Sequence, residues 1–255
     1  MQILDFTATT TNTKIVANTR KGVQSIVLYS NLDLDAFTTE RIQLEIERNG
    51  QNSTQITKGF VNLKKFVAAA TYGDDAISSF PSSFGVESFK TVAVIELAEL
   101  GAISLAGNDQ LTIVLDQLVD GARYVIDGVE SPFEDDSIYL YEDKTLLSTD
   151  TNAYLNTVGF ETMVLDNDSN IKNIWLHYEN GKVTKHSLRE FRAISQDIDP
   201  VAYVKQNGQV LPSFPTFLQY PLKGINGITI DKEVGSNPQF LFRYDHSLVN
   251  LGIMK

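Results

Sequence analysis

The chain has 255 residues, 42% of them hydrophobic, no cysteine and a net charge of −11. That length accommodates one large domain or two ordinary ones with their own cores. The missing cysteines exclude disulfides, thiolate metal sites and thiol nucleophiles. With no basic arm, the acidic balance argues against direct contact with nucleic acid, because phosphate binding needs clustered Lys and Arg.

The N-terminal MQILDFTATT has neither a positive n-region nor a cleavage site, so no secretory leader is expected. Strands are predicted around residues 2–7 and 14–17, then a strong one over 23–29, with a loop at 31–40. Residues 41–48 alternate cleanly: Ile42, Leu44 and Ile46 point one way, Gln43, Glu45 and Glu47 the other. That pattern is a strand with one wet face. Asn49-Gly50 signals a tight turn. Phe60, Leu63, Phe66 and Ala70 then recur at helical spacing, which predicts a short amphipathic helix. Residues 72–89 are turn-rich and read as a long surface loop. Strands are predicted at 91–97, 102–105 and 110–115. Residues 120–136, with their glycines and Pro132, read as the interdomain segment.

The second half repeats this order. GVQSIVL at 22–28 is answered by GFETMVL at 159–165, and Ile42-x-Leu44-x-Ile46 by Ile174-x-Leu176-x-Tyr178. Both copies end in Asn-Gly, at Asn49-Gly50 and Asn180-Gly181. Leu63-x-x-Phe66 is answered by Leu188-x-x-Phe191, where Ser187 and Glu190 form a capping-box pattern. Two further pairings complete the series: 97–105 with 222–230, and 111–116 with 240–245. Strands are expected near 137–142, 160–165, 173–178, 215–221, 227–230 and 239–245. Three prolines make 210–222 edge-like or irregular. Many short strands with turns between them indicate sandwiches or barrels, not βαβ units. The fold class is all-β: two tandem jelly-roll sandwiches, residues 1–127 and 128–255, each with a short helix after an Asn-Gly turn that covers an open sheet end. The core should contain Ile42, Leu44, Ile46, Leu63, Phe66, Ile174, Leu176, Leu188 and Phe191.

Candidate chemistry is sparse. His177, His186 and His246 are scattered and have no metal-ligand spacing. Two acidic loops, Asn31-x-Asp33-x-Asp35 and Asp166-x-Asp168-x-Asn170, follow the repeated strand with alternating oxygens of the kind that hold calcium. Both fail the EF-hand pattern, since Ala36 and Ile171 stand where glycine is required. The acidic run Glu134-Asp135-Asp136 reads as surface. A glycosidase needs only two carboxylates at a sheet centre, and 32 acidic residues leave that pair unassigned. Trp175, the single tryptophan, sits where the first half has Gln43, which points to a face toward a neighbouring subunit or domain. No catalytic, cofactor-binding or metal-ligating residue is assigned.

The twofold repeat and its unit of strand, Asn-Gly turn and short helix, at 41–66 and again at 173–191, resemble the double-jelly-roll major capsid proteins of tailless icosahedral phages. The small versions in corticovirus-like, membrane-containing phages and in lipid-containing single-stranded DNA phages are the most similar. The resemblance implies a non-enzymatic virion protein, assembled in the host cytoplasm. It implies a homotrimer shaped as a pseudo-hexameric capsomer. Its partners would be neighbouring capsomers, penton and minor capsid proteins, and an internal membrane reached through other proteins. The loops at 72–89 and 206–221 would be candidates for an outer tower, and calcium is bound in some relatives. A bilobed carbohydrate-binding or hydrolytic protein, or a minor vertex or spike protein, are the alternatives.

Overall fold

A computed structural model describes residues 1–48, 53–71, 77–79, 89–99, 101–103, 105, 107–135, 137–198 and 217–245. The chain divides into two compact units, Met1–Tyr141 and Glu142–Lys255. In the first unit the elements are β1 (Gln2–Thr7), β2 (Ile15–Thr19), β3 (Ser25–Ser30), β4 (Arg41–Glu47), β5 (Thr54–Gln55), β6 (Val61–Asn62), α1 (Leu63–Ala70), β7 (Ile77–Ser79), β8 (Thr91–Glu96), β9 (Ala102–Ile103), β10 (Gln110–Asp116), β11 (Arg123–Val129) and β12 (Glu134–Asp135). β13 (Tyr139–Thr145) carries the boundary between the units. The second unit continues with β14 (Asn152–Asn156), β15 (Thr162–Asp166), β16 (Ile171–Tyr178), β17 (Val183–Ser187), α2 (Leu188–Ile198), β18 (Phe217–Pro221), β19 (Ile225–Lys232) and β20 (Gln239–Asp245).

Each unit has two principal antiparallel sheets. The first unit has the orders β1-β11-β3-β8-β7 and β2-β10-β4-β5, and the second has β13-β20-β15-β18 and β14-β19-β16-β17. The two sets run in the same order: β1 answers to β13, β2 to β14, β3 to β15, β4 to β16, β8 to β18, β10 to β19 and β11 to β20. This is jelly-roll topology, used twice. β3 and β15, the strands that carry the two similar heptads, hold the same place in their sheets.

The nine expected core residues are all buried, from 0% exposure at Leu44 to 8% at Leu188. β4 shows why the alternation was informative: Ile42, Leu44 and Ile46 go inward while Arg41, Gln43 and Glu45 stay partly wet. Both helices come after β4-type strands, with β5 and β6 intervening before α1 and β17 before α2. Asn62 caps α1 by accepting the Lys65 N–H at 3.0 Å. At α2 the capping box closes: the Ser187 N–H donates to Glu190 at 2.7 Å, and the Glu190 N–H donates back to the Ser187 hydroxyl at 3.3 Å. α2 packs on β18 from one sheet and on β16 and β17 from the other, so it closes the edge between them. Phe191 is its wedge, stacked on Tyr220 at 5.0 Å.

The Tyr220 phenol is pushed up to about 12 by burial first and then by Tyr178. A raised phenol holds its proton longer in the folded state. It therefore contributes stability that is complete below the ordinary tyrosine value and is lost between about pH 10 and 12. Denaturant titrations from pH 9 to 12 should show that loss in the native chain and a flatter profile in Tyr220→Phe. Identical profiles would rule this source out.

Three expectations need correcting. Residues 120–136 are not a linker, because β11 runs through them, paired between β1 and β3. A boundary at 127/128 would cut that strand. Tyr124, Val125 and Ile126 are buried there. Gly128 is in the strand because the space is filled: a Cβ on it would lie 2.7 Å from Val23 and 2.9 Å from Ile3. The two later repeat pairings are also displaced. The partner of β10 is β19 and that of β20 is β11, so 111–116 does not correspond to 240–245, nor 97–105 to 222–230. Finally, the stretch 72–89, expected as a loop, contributes a strand: β7 pairs with β8. The strand expected at 215–221 is β18, at the edge of its sheet beside β15. The remainder of both stretches, and the turn at Asn49-Gly50, lie outside the described residues.

Candidate interaction surface

The side chains of the acidic loops are engaged by protein partners. In the first, the Lys64 ammonium donates to Asp35 at 2.8 Å, Lys90 to Asp33 at 3.4 Å, and Asn31 accepts the Arg123 N–H at 2.8 Å. Three oxygen-bearing residues thus face three different partners. In the second, Asp168 accepts from Asn170 N and Nδ2 and from the Ser236 hydroxyl, while Asp166 accepts the Gln239 N–H at 2.9 Å. Burial raises the Asp168 carboxyl, but the bonds from Ser236 and Asn170 and the charge of Lys232 outweigh it and hold it below the usual range. Lys232, 1% exposed with Nζ donating to the Ser236 carbonyl at 2.9 Å, is the positive charge already built in beside this loop. Among the described residues no three His, Asp or Glu side chains converge as a metal site.

The histidines are equally occupied. His177 Nε2 is 2.8 Å from the Thr229 hydroxyl, and His186 Nε2 is 3.0 Å from that of Thr184. His246 lies outside the described residues, as does Asp136 of the acidic run. The backbone of Glu134 and Asp135 forms β12, parallel to β9. Trp175 is half-buried on the outward face of β16, with the Lys185 ammonium 5.0 Å above its ring. In the neighbouring cross-strand position, Tyr154 lies over Gly227, where a Cβ would fall 2.2 Å from the phenol oxygen. No helix among the described residues is long and apolar enough to cross a membrane.

A cleft of about 480 Å³ lies on the outward face of the β1-β11-β3-β8-β7 sheet, lined by Gln2, Asp5, Tyr29, Phe89, Arg123, Val125 and Asp127. Arg123 grips Asp5 with two donors, Nε at 2.9 Å and Nη2 at 2.7 Å. That grip holds the Asp5 carboxyl below its ordinary value. The Arg123 guanidinium also lies 5.3 Å from the Phe89 ring, which leans on Tyr29 at 5.3 Å. Burial, then the Asp127 charge, raises the Tyr29 phenol. Glycoside hydrolysis needs one carboxylic acid kept protonated. Asp5 is held ionised by Arg123, so it does not supply that acid. Tyr29, Phe89 and Arg123 surround Val125 in this cleft.

That surface continues along the sheet. The rows Asp5–Val125–Tyr29–Val92 and Gln2–Asp127–Val27–Val94 run across β1, β11, β3 and β8. Most outward positions of β3 and β8 are apolar, and the sequence expectation of a single wet face holds for β4 but not here. The signal was present in SIVLYS and TVAVIE, which do not alternate and so read as strands covered on both sides.

No family model and no curated protein matches the sequence. Among solved structures, the chain is similar to the STIV major capsid protein, with a TM-score of 0.56 and 11% identity over 96% of this chain and 94% of that one. It is also similar to the major capsid protein P2 from Bacteriophage PM2, with a TM-score of 0.53 and 9% identity over 96% and 95%. A further structure from Sulfolobus Turreted Icosahedral Virus gives 0.53 and 10% over 96% and 90%. The fold is that of double-jelly-roll capsid proteins.

Proposed function

We propose that this chain is a viral major capsid protein. Three copies form a pseudo-hexameric homotrimer, and these capsomers tile an icosahedral shell beside penton and minor proteins. The observation that carries this reading is the strand-for-strand duplication. Two similar domains in one chain give six similar corners in a ring of three, and closed rings with sixfold outlines can cover a surface. The similarity in fold to capsid proteins over 96% of the chain supports it. The acidic chain favours a shell that does not touch the genome directly, as in a virion with an internal membrane reached through other proteins. Tailless phages of that kind are the proposed source.

Light scattering on the purified chain should give three times its mass of 28.4 kDa, and negative-stain images should show hexagonal outlines. A monomer at every concentration overturns the proposal.

A further inference from the structure

We infer that the Lys232 ammonium is the structural cation of the second unit. It fills an oxygen-lined pocket where three connecting segments meet. Emptied of that ammonium, the pocket is a binding site for a free monovalent cation of ammonium size.

Three observations carry it. The first is burial. Lys232 is 1% exposed, and lysine is almost never so deep unless its charge is paired and hydrogen-bonded. Its Nζ donates to the Ser236 carbonyl at 2.9 Å and reaches the Glu233 carbonyl at 3.5 Å. Its charge also acts on the Asp168 carboxylate.

The second is convergence of the chain. Residues 146–151, 166–171 and 232–239 are tied together around this ammonium. The Lys232 N–H donates to the Thr151 carbonyl at 3.0 Å, the Gly235 N–H to that of Ser148 at 2.8 Å, and the Glu233 N–H to that of Asn170 at 2.9 Å. The Ser236 hydroxyl donates to Asp168, and the Gln239 N–H to Asp166. Carbonyl oxygens and a carboxylate aimed at one point repel each other unless a positive charge stands between them. Lys232 supplies that charge from within the chain.

The third is the internal duplicate. Lys232 ends β19 and stands opposite Ile171, the first residue of β16. At the answering place Asp116 ends β10 and stands opposite Arg41, the first residue of β4. There the charge is reversed: Asp116 accepts from Arg41 at 2.7 Å. The first unit neutralises its acidic turn with Lys64 and Lys90, on Asp35 and Asp33 whose side chains are more than half exposed. A buried cation at this strand end is therefore not demanded by the jelly roll. It belongs to the way the second unit closes its turns.

The contacts also select the ion. Calcium gathers six to eight oxygens at about 2.3–2.6 Å. Oxygens at 2.9 and 3.5 Å have the spacing of an ammonium, whose single charge matches the single carboxylate of Asp168.

The test uses the full chain, with Trp175 of β16 as the fluorescent reporter of this unit. Lys232→Ala should lower the urea midpoint by more than ~1 M, because a buried carboxylate loses its counter-charge. Ammonium chloride should restore at least ~half of that loss along a saturating curve. Tetramethylammonium chloride, a larger ion without N–H donors, should restore none. The wild type, its pocket filled, should show no difference between the two salts. If Lys232→Ala stays unfolded without ammonium, refolding yields in the two salts give the same comparison. Lys232→Met keeps most of the stem and removes the charge, and its midpoint should fall by more than ~0.5 M. Equal effects of the two salts on Lys232→Ala overturn the inference, since no cation pocket is then uncovered. A Met variant as stable as the wild type overturns it too, because the stem and not the charge would then hold the turns.

Discussion

Phe66→Ala and Phe191→Ala are each expected to cost about 3–5 kcal/mol, the range for truncating a buried aromatic that its surroundings cannot refill. Both rings are fully buried. Phe66 meets Tyr141 edge-on at 4.8 Å, and Phe191 stacks on Tyr220 at 5.0 Å. Each ring belongs to the α-helix described in its sandwich, and that helix is how the unit covers its open edge. The loss is therefore of an edge seal as well as of contact area. Trp175 is the single tryptophan, so its fluorescence follows the second unit. Phe191→Ala should move the midpoint of that signal in urea by more than ~1 M, given slopes of about 1–3 kcal/mol per M. Phe66→Ala is read by circular dichroism. Val183→Ala, at an exposed position of β17, should stay within ~0.5 kcal/mol. Shifts of that small size at Phe66 and Phe191 would mean that the helices do not seal the sandwiches.

The same pair of helices shows how much the sequence disclosed. Leu63-x-x-Phe66 and Leu188-x-x-Phe191 were legible because helical spacing interrupts a period-two pattern, which chance rarely does twice in the same context. β4 and β16 were legible because each has one wet face, so burial wrote itself into alternation. β11 was not legible. Its two faces are both largely withdrawn from water, so the RYVIDGV run lacks alternation, and its glycine met the expectation of a linker. The glycine is there because Val23 and Ile3 leave no room for a side chain. Missing β11 had a further consequence. With one strand too few in the first half, the last strands of the two halves were paired one position out of step. The short strands β14 and β17 were missed for the opposite reason, being polar enough to read as turns. The candidate surface was hidden in the same way as β11: the runs that hold Val27, Val92 and Val94 do not alternate, and only the sheet register shows which of their residues face outward.

Glu40→Ala should destabilise the first unit by about 2–4 kcal/mol, although the position is a single carboxylate that no motif marks. Glu40 is fully buried just before β4. One carboxylate oxygen accepts the Thr38 and Thr39 N–H groups at 2.8 and 3.0 Å, and the other accepts the Tyr124 hydroxyl at 3.1 Å. Tyr124 belongs to β11, so this bond ties one sheet of the sandwich to the other through the interior. Burial, and then the Glu40 charge, raise the Tyr124 phenol and keep it a donor. Removing the carboxylate leaves a buried hydroxyl without an acceptor, which costs about 1–3 kcal/mol, and also removes charge-assisted bonds to the backbone. Glu40→Gln should cost less. Its oxygen can serve the two N–H groups while its amide donates to the Tyr124 oxygen. Tyr124→Phe should cost about 1 kcal/mol in the native background and less in Glu40→Ala, where the bond is already gone. A double-mutant cycle on urea midpoints therefore yields a coupling of at least ~0.5 kcal/mol. Additive losses would show that the two residues are buried side by side without holding the sheets together.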